Sequence, residues 1–114
     1  NNKFISMEWI KEAVVNPCDF RESKKESENK FPYVNFDLVN DNFNYNKPES
    51  EKQIIDRCDN FYNWLLNCKE KNIAIVTHGQ FLKVFLNKYG KKLNINNIKW
   101  FNNCELRKGY IYKF

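Results

Sequence analysis

The chain has 114 residues, a length that fits one small domain with a single hydrophobic core. Hydrophobic residues make up 42% of it and aromatic residues 17%, which excludes an intrinsically disordered chain. The net charge of +5 is not gathered into a basic stripe with interleaved aromatics, and no apolar run approaches the roughly 20 residues of a membrane span, so we expect neither a nucleic-acid partner nor a membrane partner.

The first third of the chain predicts one short helix and two loops. Residues 4–15 (FISMEWIKEAVV) place apolar side chains at helical spacing, with Ser6 as the N-cap and Pro17 ending the helix. Residues 20–30 are charged and lack hydrophobic periodicity, which indicates a solvated loop or a frayed helix. We expect residues 31–48 to form a long loop of the kind that covers an active site, packed down by Phe31, Tyr33, Phe36 and Phe43.

Residues 49–71 carry the strongest helical pattern. Ser50 followed by Gln53 fits a capping box at the start. Apolar side chains then recur at spacings of three and four and predict one buried face, made of Ile54, Cys58, Phe61, Leu65 and Cys68. Arg57 lies within this helix, and we expect it to be solvated or paired with a Glu on a neighbouring turn.

A buried strand is predicted directly after this helix. Residues 73–77 (IAIVT) form a continuous apolar run, typical of a strand buried on both faces of a parallel sheet. A second helix follows the turn at His78 and Gly79 and ends at Gly90. In an open α/β sheet, ligands bind outside the carboxyl ends of the strands, which is where His78 lies.

The tail and the cysteines predict structural roles. Residues 100–114 indicate a β-hairpin that turns at Lys108 and Gly109 and closes the edge of the sheet, with Glu105 and Arg107 as structural polar residues. The four cysteines are widely spaced and the chain has one His, which predicts free thiols, a reducing cytoplasmic location and no metal site.

His78 is the candidate with chemical meaning. A lone His is more often a satisfied core residue, but this one ends a strand and precedes a helix. Its imidazole should therefore lie beside the free backbone N–H groups of Gly79, Gln80 and Phe81. A cationic imidazole beside these donors would hold the oxygens of a phosphoryl group, which predicts an anion-binding turn.

Four segments carry a resemblance to a known family. The string VTHG at 76–79 resembles the second histidine motif of the histidine-phosphatase superfamily, which includes cofactor-dependent phosphoglycerate mutases, and it follows a helix with the F-x-x-W-L pattern of that superfamily. Residues 11–21 resemble the R-E…P-C-D-x-R stretch of the phosphoglycerate-mutase-like branch, residues 31–36 its F-P-x-x-D-F, and residues 103–107 its closing strand.

The resemblance implies an α/β fold, a three-layer αβα sandwich of which this chain forms an incomplete part of the sheet with flanking helices. It runs from about residue 7 to residue 107. The family's first motif, a strand ending in R-H-G whose His is the nucleophile, is absent from the sequence, as is the second phosphate-binding Arg. We therefore expect residues 1–114 to be the C-terminal part of a single histidine-phosphatase domain; the alternative is a degenerate relative.

The resemblance also implies roles for individual residues. His78 would stabilise the transferring phosphoryl group and Glu12 would protonate the leaving oxygen, with Gly79, Gln80 and Arg21 binding substrate and no metal or organic cofactor. From the residues alone, a surface carboxylate at the end of a short helix is the commoner interpretation of Glu12. Arg21 could form a structural salt bridge with Asp19 or Glu22.

A phosphatase acting on a small phosphorylated metabolite is the predicted function. A phosphoglycerate mutase is the first alternative, and a non-catalytic anion-binding or regulatory module of the same fold is the second. A nucleic-acid binder, which would show salt-sensitive affinity, is the least favoured. The sequence leaves open whether the protein forms a homo-oligomer.

Overall fold

The computed structural model of the protein describes residues 3–41 and 47–112. In chain order it has strand β1 (Ile5–Met7), 3-10 turns at Glu8–Ile10 and Pro17–Asp19, helix α1 (Lys24–Lys30), strand β2 (Asn35–Leu38), helix α2 (Glu51–Asn67) and helix α3 (Gly79–Tyr89). The fold class is α/β, as predicted, with a two-stranded parallel sheet and three helices among the described residues.

Helix α2 forms as its sequence predicts. The Ser50 hydroxyl accepts a hydrogen bond from the Gln53 N–H at 3.2 Å, and the Gln53 side chain accepts one from the Ser50 N–H at 2.7 Å. This capping box satisfies two backbone donors that a helix start leaves without partners. The predicted apolar residues are all buried, and burial raises the pKa of the Cys58 thiol to about 11.

Helix α3 also lies close to its predicted position. His78 is its N-cap, and Gly90 caps its other end. It packs on α2 through aromatic rings, with Phe61 and Phe85 centroids 5.4 Å apart and Tyr62 stacked on Tyr89 at 4.1 Å. These contacts place the α2–α3 pair at the centre of the core. Because α3 is held on α2, the position of its first turn is also set by this packing.

The predicted helix over residues 4–15 is wrong. Ile5–Met7 pairs in parallel with β2, and Ile5 lies opposite Asn35 and Met7 opposite Leu38. The backbone groups of this segment are satisfied by a strand 30 residues away, and this tertiary pairing outweighs the helical spacing of the apolar residues. Only the short turn Glu8–Ile10 remains of the predicted helix.

The two predicted loops before α2 are partly structured. The charged stretch contains helix α1, which is the frayed-helix alternative, and Ser23 caps it by accepting from the Glu26 N–H. The predicted long loop instead contains strand β2, because residues 35–38 pair with β1. Phe43, expected to pack this loop, lies outside the described residues.

Residues 73–77 do not form the predicted buried strand in this chain. They have no regular secondary structure and no sheet partner, and Val76 is 89% exposed. A parallel strand forms only beside a neighbour that supplies its hydrogen bonds, and the sheet of the described residues contains β1 and β2 alone. The segment is held instead by the Thr77 hydroxyl, which donates to the Ile10 carbonyl at 2.6 Å.

The predicted β-hairpin over residues 100–114 is also wrong for the part that the structure describes, up to residue 112. Cys104 has a φ of 62°, which turns the chain. The Arg107 guanidinium donates to the carbonyls of Asn97, Lys99 and Trp100 and so folds the tail upon itself. The guanidinium gives these carbonyls the donors that backbone N–H groups of a partner strand would otherwise supply. The structural role predicted for Glu105 and Arg107 is confirmed, since the two pair at 2.5 Å.

Candidate active site

His78 and Glu12 face each other across the start of α3. The Nδ1 atom of His78 lies 3.7 Å from Oε2 of Glu12, and the two side chains are 52% and 29% exposed. The imidazole is therefore not a core residue, which removes the commoner interpretation of a lone His. A carboxylate and an imidazole at this separation can act on the same small ligand.

The backbone around His78 has the conformation of a helix N-cap. His78 is extended, with φ −121° and ψ 154°, and its carbonyl accepts from the Leu82 N–H at 3.0 Å. The N–H groups of Gly79 and Gln80 lie in the first turn of an 11-residue helix, where they have no acceptor within the helix. The positive end of the helix dipole lies beside the imidazole.

Gly79 is covered by an indole ring that sequence reasoning did not identify. A Cβ atom at position 79 would lie 2.7 Å from Cζ2 of Trp100, which is closer than atoms can pack. A side chain at position 79 would therefore require the indole to shift. Trp100 itself is more than half exposed, so the indole forms part of the surface around His78.

Glu12 lies in a loop, not at the end of a helix as its surface interpretation assumed. Its Oε1 accepts from the Ala13 N–H at 2.9 Å, which leaves Oε2 on the His78 side. The loop is joined to the His78 segment by the hydrogen bond from Thr77 to Ile10. Glu12 and His78 are 66 positions apart in sequence. This hydrogen bond between their two segments brings them together.

Asp19 is a second carboxylate within electrostatic reach of His78. Hydrogen bonds from the N–H groups of Asn16 and Val15, at 2.8 and 3.0 Å, hold its pKa below the ordinary value, and the His78 charge lowers it slightly more. It therefore carries a negative charge at neutral pH. The sequence analysis considered Asp19 as part of the family motif and as a partner of Arg21, not as a neighbour of His78.

Arg21 makes a structural ion pair with a different partner from those expected. Its Nε lies 3.0 Å from Oε2 of Glu8, and its terminal nitrogens donate to the carbonyls of Glu22 and Asn40. The expected pairs with the Asp19 or Glu22 carboxylate are thus replaced by one with Glu8. Substrate binding by Gly79, Gln80 and Arg21 stays a prediction.

Arg57 is the residue that sequence reasoning placed wrongly. It is 9% exposed, and its guanidinium pairs with Glu49, which precedes the helix and lies eight positions away instead of on a neighbouring turn. The available signal was its position, since Arg57 lies three residues after Ile54 and four before Phe61 and so falls on the apolar face. A charged residue on that face needs a buried partner.

The described residues contain no group of three His, Cys, Asp or Glu side chains that could hold a metal ion. Within the same part of the chain, no helix has both the length and the apolar character needed to cross a bilayer. All four cysteines are free thiols, as predicted.

Comparison with known proteins identifies the family of this chain. The family model of the histidine phosphatase superfamily (branch 1) matches residues 8–110, which include both His78 and Glu12. Three relatives come from Arabidopsis thaliana. Phosphoglycerate mutase-like protein 2 is 42% identical over 101 residues (82% of this chain, 29% of that protein), and phosphoglycerate mutase-like protein 1 is 37% identical over 101 residues (82% and 36%). The third, phosphoglycerate mutase-like protein, is 35% identical over 117 residues (91% and 42%).

The chain spans between 29% and 42% of the length of these relatives. No solved structure gives a significant match. The family match covers most of the chain, and the relatives share a third or more of their aligned residues with it. The chain therefore belongs to the histidine phosphatase superfamily, branch 1.

Proposed function

We propose that this chain supplies half of the active site of a phosphatase that hydrolyses small phosphate monoesters through a phosphohistidine intermediate. The observation that carries the proposal is the 3.7 Å approach of His78 to Glu12 at the start of α3. An imidazole, a carboxyl group and free backbone donors then surround one solvent-accessible point. Family membership supports phosphoryl chemistry at that point.

In the proposed reaction, the nucleophile is a second histidine from a segment outside the present sequence. Its ring nitrogen attacks phosphorus, the bond from phosphorus to the ester oxygen breaks, and Glu12 transfers its proton to that oxygen. A water molecule then attacks the phosphohistidine and gives one proton to Glu12. Inorganic phosphate leaves, and both histidine and carboxylic acid are restored.

His78 is assigned the stabilisation of charge on the transferring group. Nδ1 lies on the Glu12 side, so we expect Nε2 to meet a phosphoryl oxygen. The N–H groups of Gly79 and Gln80 are the expected additional donors, because the helix start aims them at an anion. Together these groups would hold three equatorial oxygens as phosphorus becomes five-coordinate.

Mutase action is the second candidate, favoured by one observation. The relatives of this chain are named phosphoglycerate mutase-like proteins. A mutase returns the phosphoryl group to a second hydroxyl of the substrate and must keep water away from the intermediate. Hydrolysis stays the first choice, because residues 17–21 resemble the P-C-D-x-R stretch of the phosphatase-leaning relatives.

The test uses the complete protein, meaning the polypeptide that carries this chain together with the nucleophile segment. It is assayed on p-nitrophenyl phosphate and on 3-phosphoglycerate, with inorganic phosphate and phosphoglycerate isomers measured as separate products. We expect phosphate release, and a loss of about 100-fold or more in kcat/KM for His78→Ala on both substrates.

Glu12→Gln should lose most of its activity on 3-phosphoglycerate, whose alcohol is a poor leaving group. Conversion of 3-phosphoglycerate to its isomer without phosphate release would favour the mutase. Turnover of both esters by folded His78→Ala at the wild-type rate would rule out the assigned role. A complete protein without any phosphoryl-transfer activity would leave the anion-binding module as the better description.

A further inference from the structure

The loop that carries Glu12 is held by hydrogen bonds to the backbone of the three residues that precede Glu12. The carbonyls of Trp9 and Lys11 accept from Nη1 of Arg57 at 2.6 and 3.1 Å. The carbonyl of Ile10, between them, accepts from the Thr77 hydroxyl at 2.6 Å. Three successive backbone carbonyls before Glu12 therefore each have a side-chain donor from a distant part of the chain.

The C-terminal side of the same loop is fastened by Glu49. The Val14 N–H donates to Oε1 of Glu49 at 3.0 Å, and the Glu49 N–H donates to the Val14 carbonyl at 2.8 Å. Because both backbone groups of Val14 are satisfied, the loop cannot slide along its partner without breaking two hydrogen bonds. Glu12 is thus held between two fixed points.

Arg57 and Glu49 form one unit. Nε and Nη2 of Arg57 lie 2.8 and 2.9 Å from the two carboxylate oxygens of Glu49, a paired geometry specific to a guanidinium. Their side chains are only 11% and 13% exposed. The guanidinium carbon also lies 5.4 Å from the ring centroid of Phe81, in the first turn of α3.

This unit therefore touches both halves of the candidate site. Arg57 contacts the loop of Glu12 on one side and the start of the helix capped by His78 on the other. Thr77 makes a second link, since it directly precedes His78 and bonds to Ile10. Nothing in the capping of α2 or in its apolar face requires an arginine at this position.

We propose that Arg57, paired with Glu49, and Thr77 are positioning residues that set the carboxyl group of Glu12 at its working distance from His78. The inference rests on the proposed function, because it assigns these residues to the general-acid step. A long carboxyl side chain on an untied loop would spend little time aligned with the leaving oxygen. Small misplacement of a catalytic group is enough to slow a reaction strongly.

A leaving-group comparison tests this role. For the first phosphoryl transfer, which kcat/KM reports, an alcohol needs a proton from Glu12, whereas p-nitrophenolate departs without one. Arg57→Lys keeps the charge but loses the paired geometry, and in the complete protein it should lower kcat/KM on 3-phosphoglycerate by about tenfold more than on p-nitrophenyl phosphate. In a Glu12→Gln background the same change should have little further effect.

Thr77 provides a second test if Arg57→Lys does not fold. Thr77→Val removes the hydroxyl that binds Ile10 at nearly constant shape and should show the same selective loss, whereas Thr77→Ser keeps the donor and should restore wild-type selectivity. Asp59→Asn is the matched control, since Asp59 lies on α2 and joins it to α3 through Lys88 and Tyr89, without a described contact to the Glu12 loop. Asp59→Asn should weaken helix packing and leave the ratio of the kcat/KM values for the two substrates unchanged.

The outcomes separate the two hypotheses. If Glu12→Gln itself shows no leaving-group selectivity, the proposed function is at fault. The other outcome is that Glu12→Gln shows the leaving-group selectivity while folded Arg57→Lys and Thr77→Val lower kcat/KM equally on both substrates. In that case the proposed function stands and the positioning role is overturned.

Discussion

The ion pair with Arg57 sets the pKa of the Glu49 carboxyl group. Burial acts to raise the pKa of Glu49, but the Arg57 hydrogen bonds and the Val14 N–H outweigh it, so the pKa lies below its ordinary value of 4.5. The carboxylate is therefore ionised in the folded protein at every pH at which an unfolded Glu is ionised. The pair is nearly inaccessible to water, so each buried charge needs the other as its counter-charge.

A pH dependence of stability follows for Glu49. A group with a lowered folded pKa stabilises the protein fully above its unfolded pKa, and this stabilisation is lost as the pH falls through the folded value. Glu49→Gln in the complete protein should cost about 3 kcal/mol at pH 7, because it leaves Arg57 buried without its counter-charge. The difference in free energy of unfolding between Glu49→Gln and wild type should shrink below pH 4.5, the ordinary pKa of Glu.

Urea unfolding between pH 3 and pH 7 measures this difference. Glu22→Gln is the control, since Glu22 also has a lowered pKa, from its hydrogen bond with Lys30, but lies on the surface. Surface ion pairs contribute little, so Glu22→Gln should change the free energy of unfolding much less than Glu49→Gln does. An equal cost for the two variants would contradict a special role for the buried pair.

At the level of residues, the sequence predicted His78 because it follows a predicted strand and precedes a helix, where backbone N–H groups favour an anion. Glu12 came from the family motif, and the structure then brought it to 3.7 Å from His78. The partners of Arg21 and Arg57 could not be predicted, since Glu8 and Glu49 become neighbours only through the fold. Trp100 was missed because close approach to Gly79 has no local pattern.

Among the elements, α2 and α3 were predictable because their information is local. Each has an apolar stripe of helical period and a recognisable start, and each packs on the other. The β1–β2 pair was not predictable, because a three-residue strand shows no periodicity of its own and depends on a partner 30 residues away. Helix α1 lies between these cases, since its capping box is clear but its helix buries no side chain.

The two serine caps give a direct comparison of elements. Ser50→Ala should lower the free energy of unfolding of the complete protein by about 1 kcal/mol, because α2 carries the core and loses its first-turn acceptor. Ser23→Ala removes the same hydrogen bond from α1, and should cost less than about 0.5 kcal/mol because α1 can fray without opening the core. Thermal or urea unfolding monitored by circular dichroism gives both values. Equal costs would show that α1 is part of the cooperative unit.

For the whole molecule, the exposed segment 73–77 is the main departure from the predicted sheet. It has the composition of a buried parallel strand, yet Val76 is 89% exposed and the described sheet offers it no neighbour. Continuous apolar composition predicts burial only when the strands that cover it are present. The chain spans less than half of the length of its relatives, and we expect the complete protein to cover this segment and bring the nucleophile to His78.

The most direct measurement of the central claim is a single-turnover experiment with the complete protein in excess over p-nitrophenyl phosphate. The rate of p-nitrophenol release then reports the first phosphoryl transfer alone, before any hydrolysis of the intermediate. Folded His78→Ala should release p-nitrophenol about 100-fold more slowly than wild type, because the charge on the transferring oxygens loses its imidazole partner. Release within about twofold of the wild-type rate would contradict a role for His78 in phosphoryl transfer, since the loss of a transition-state donor costs far more than that.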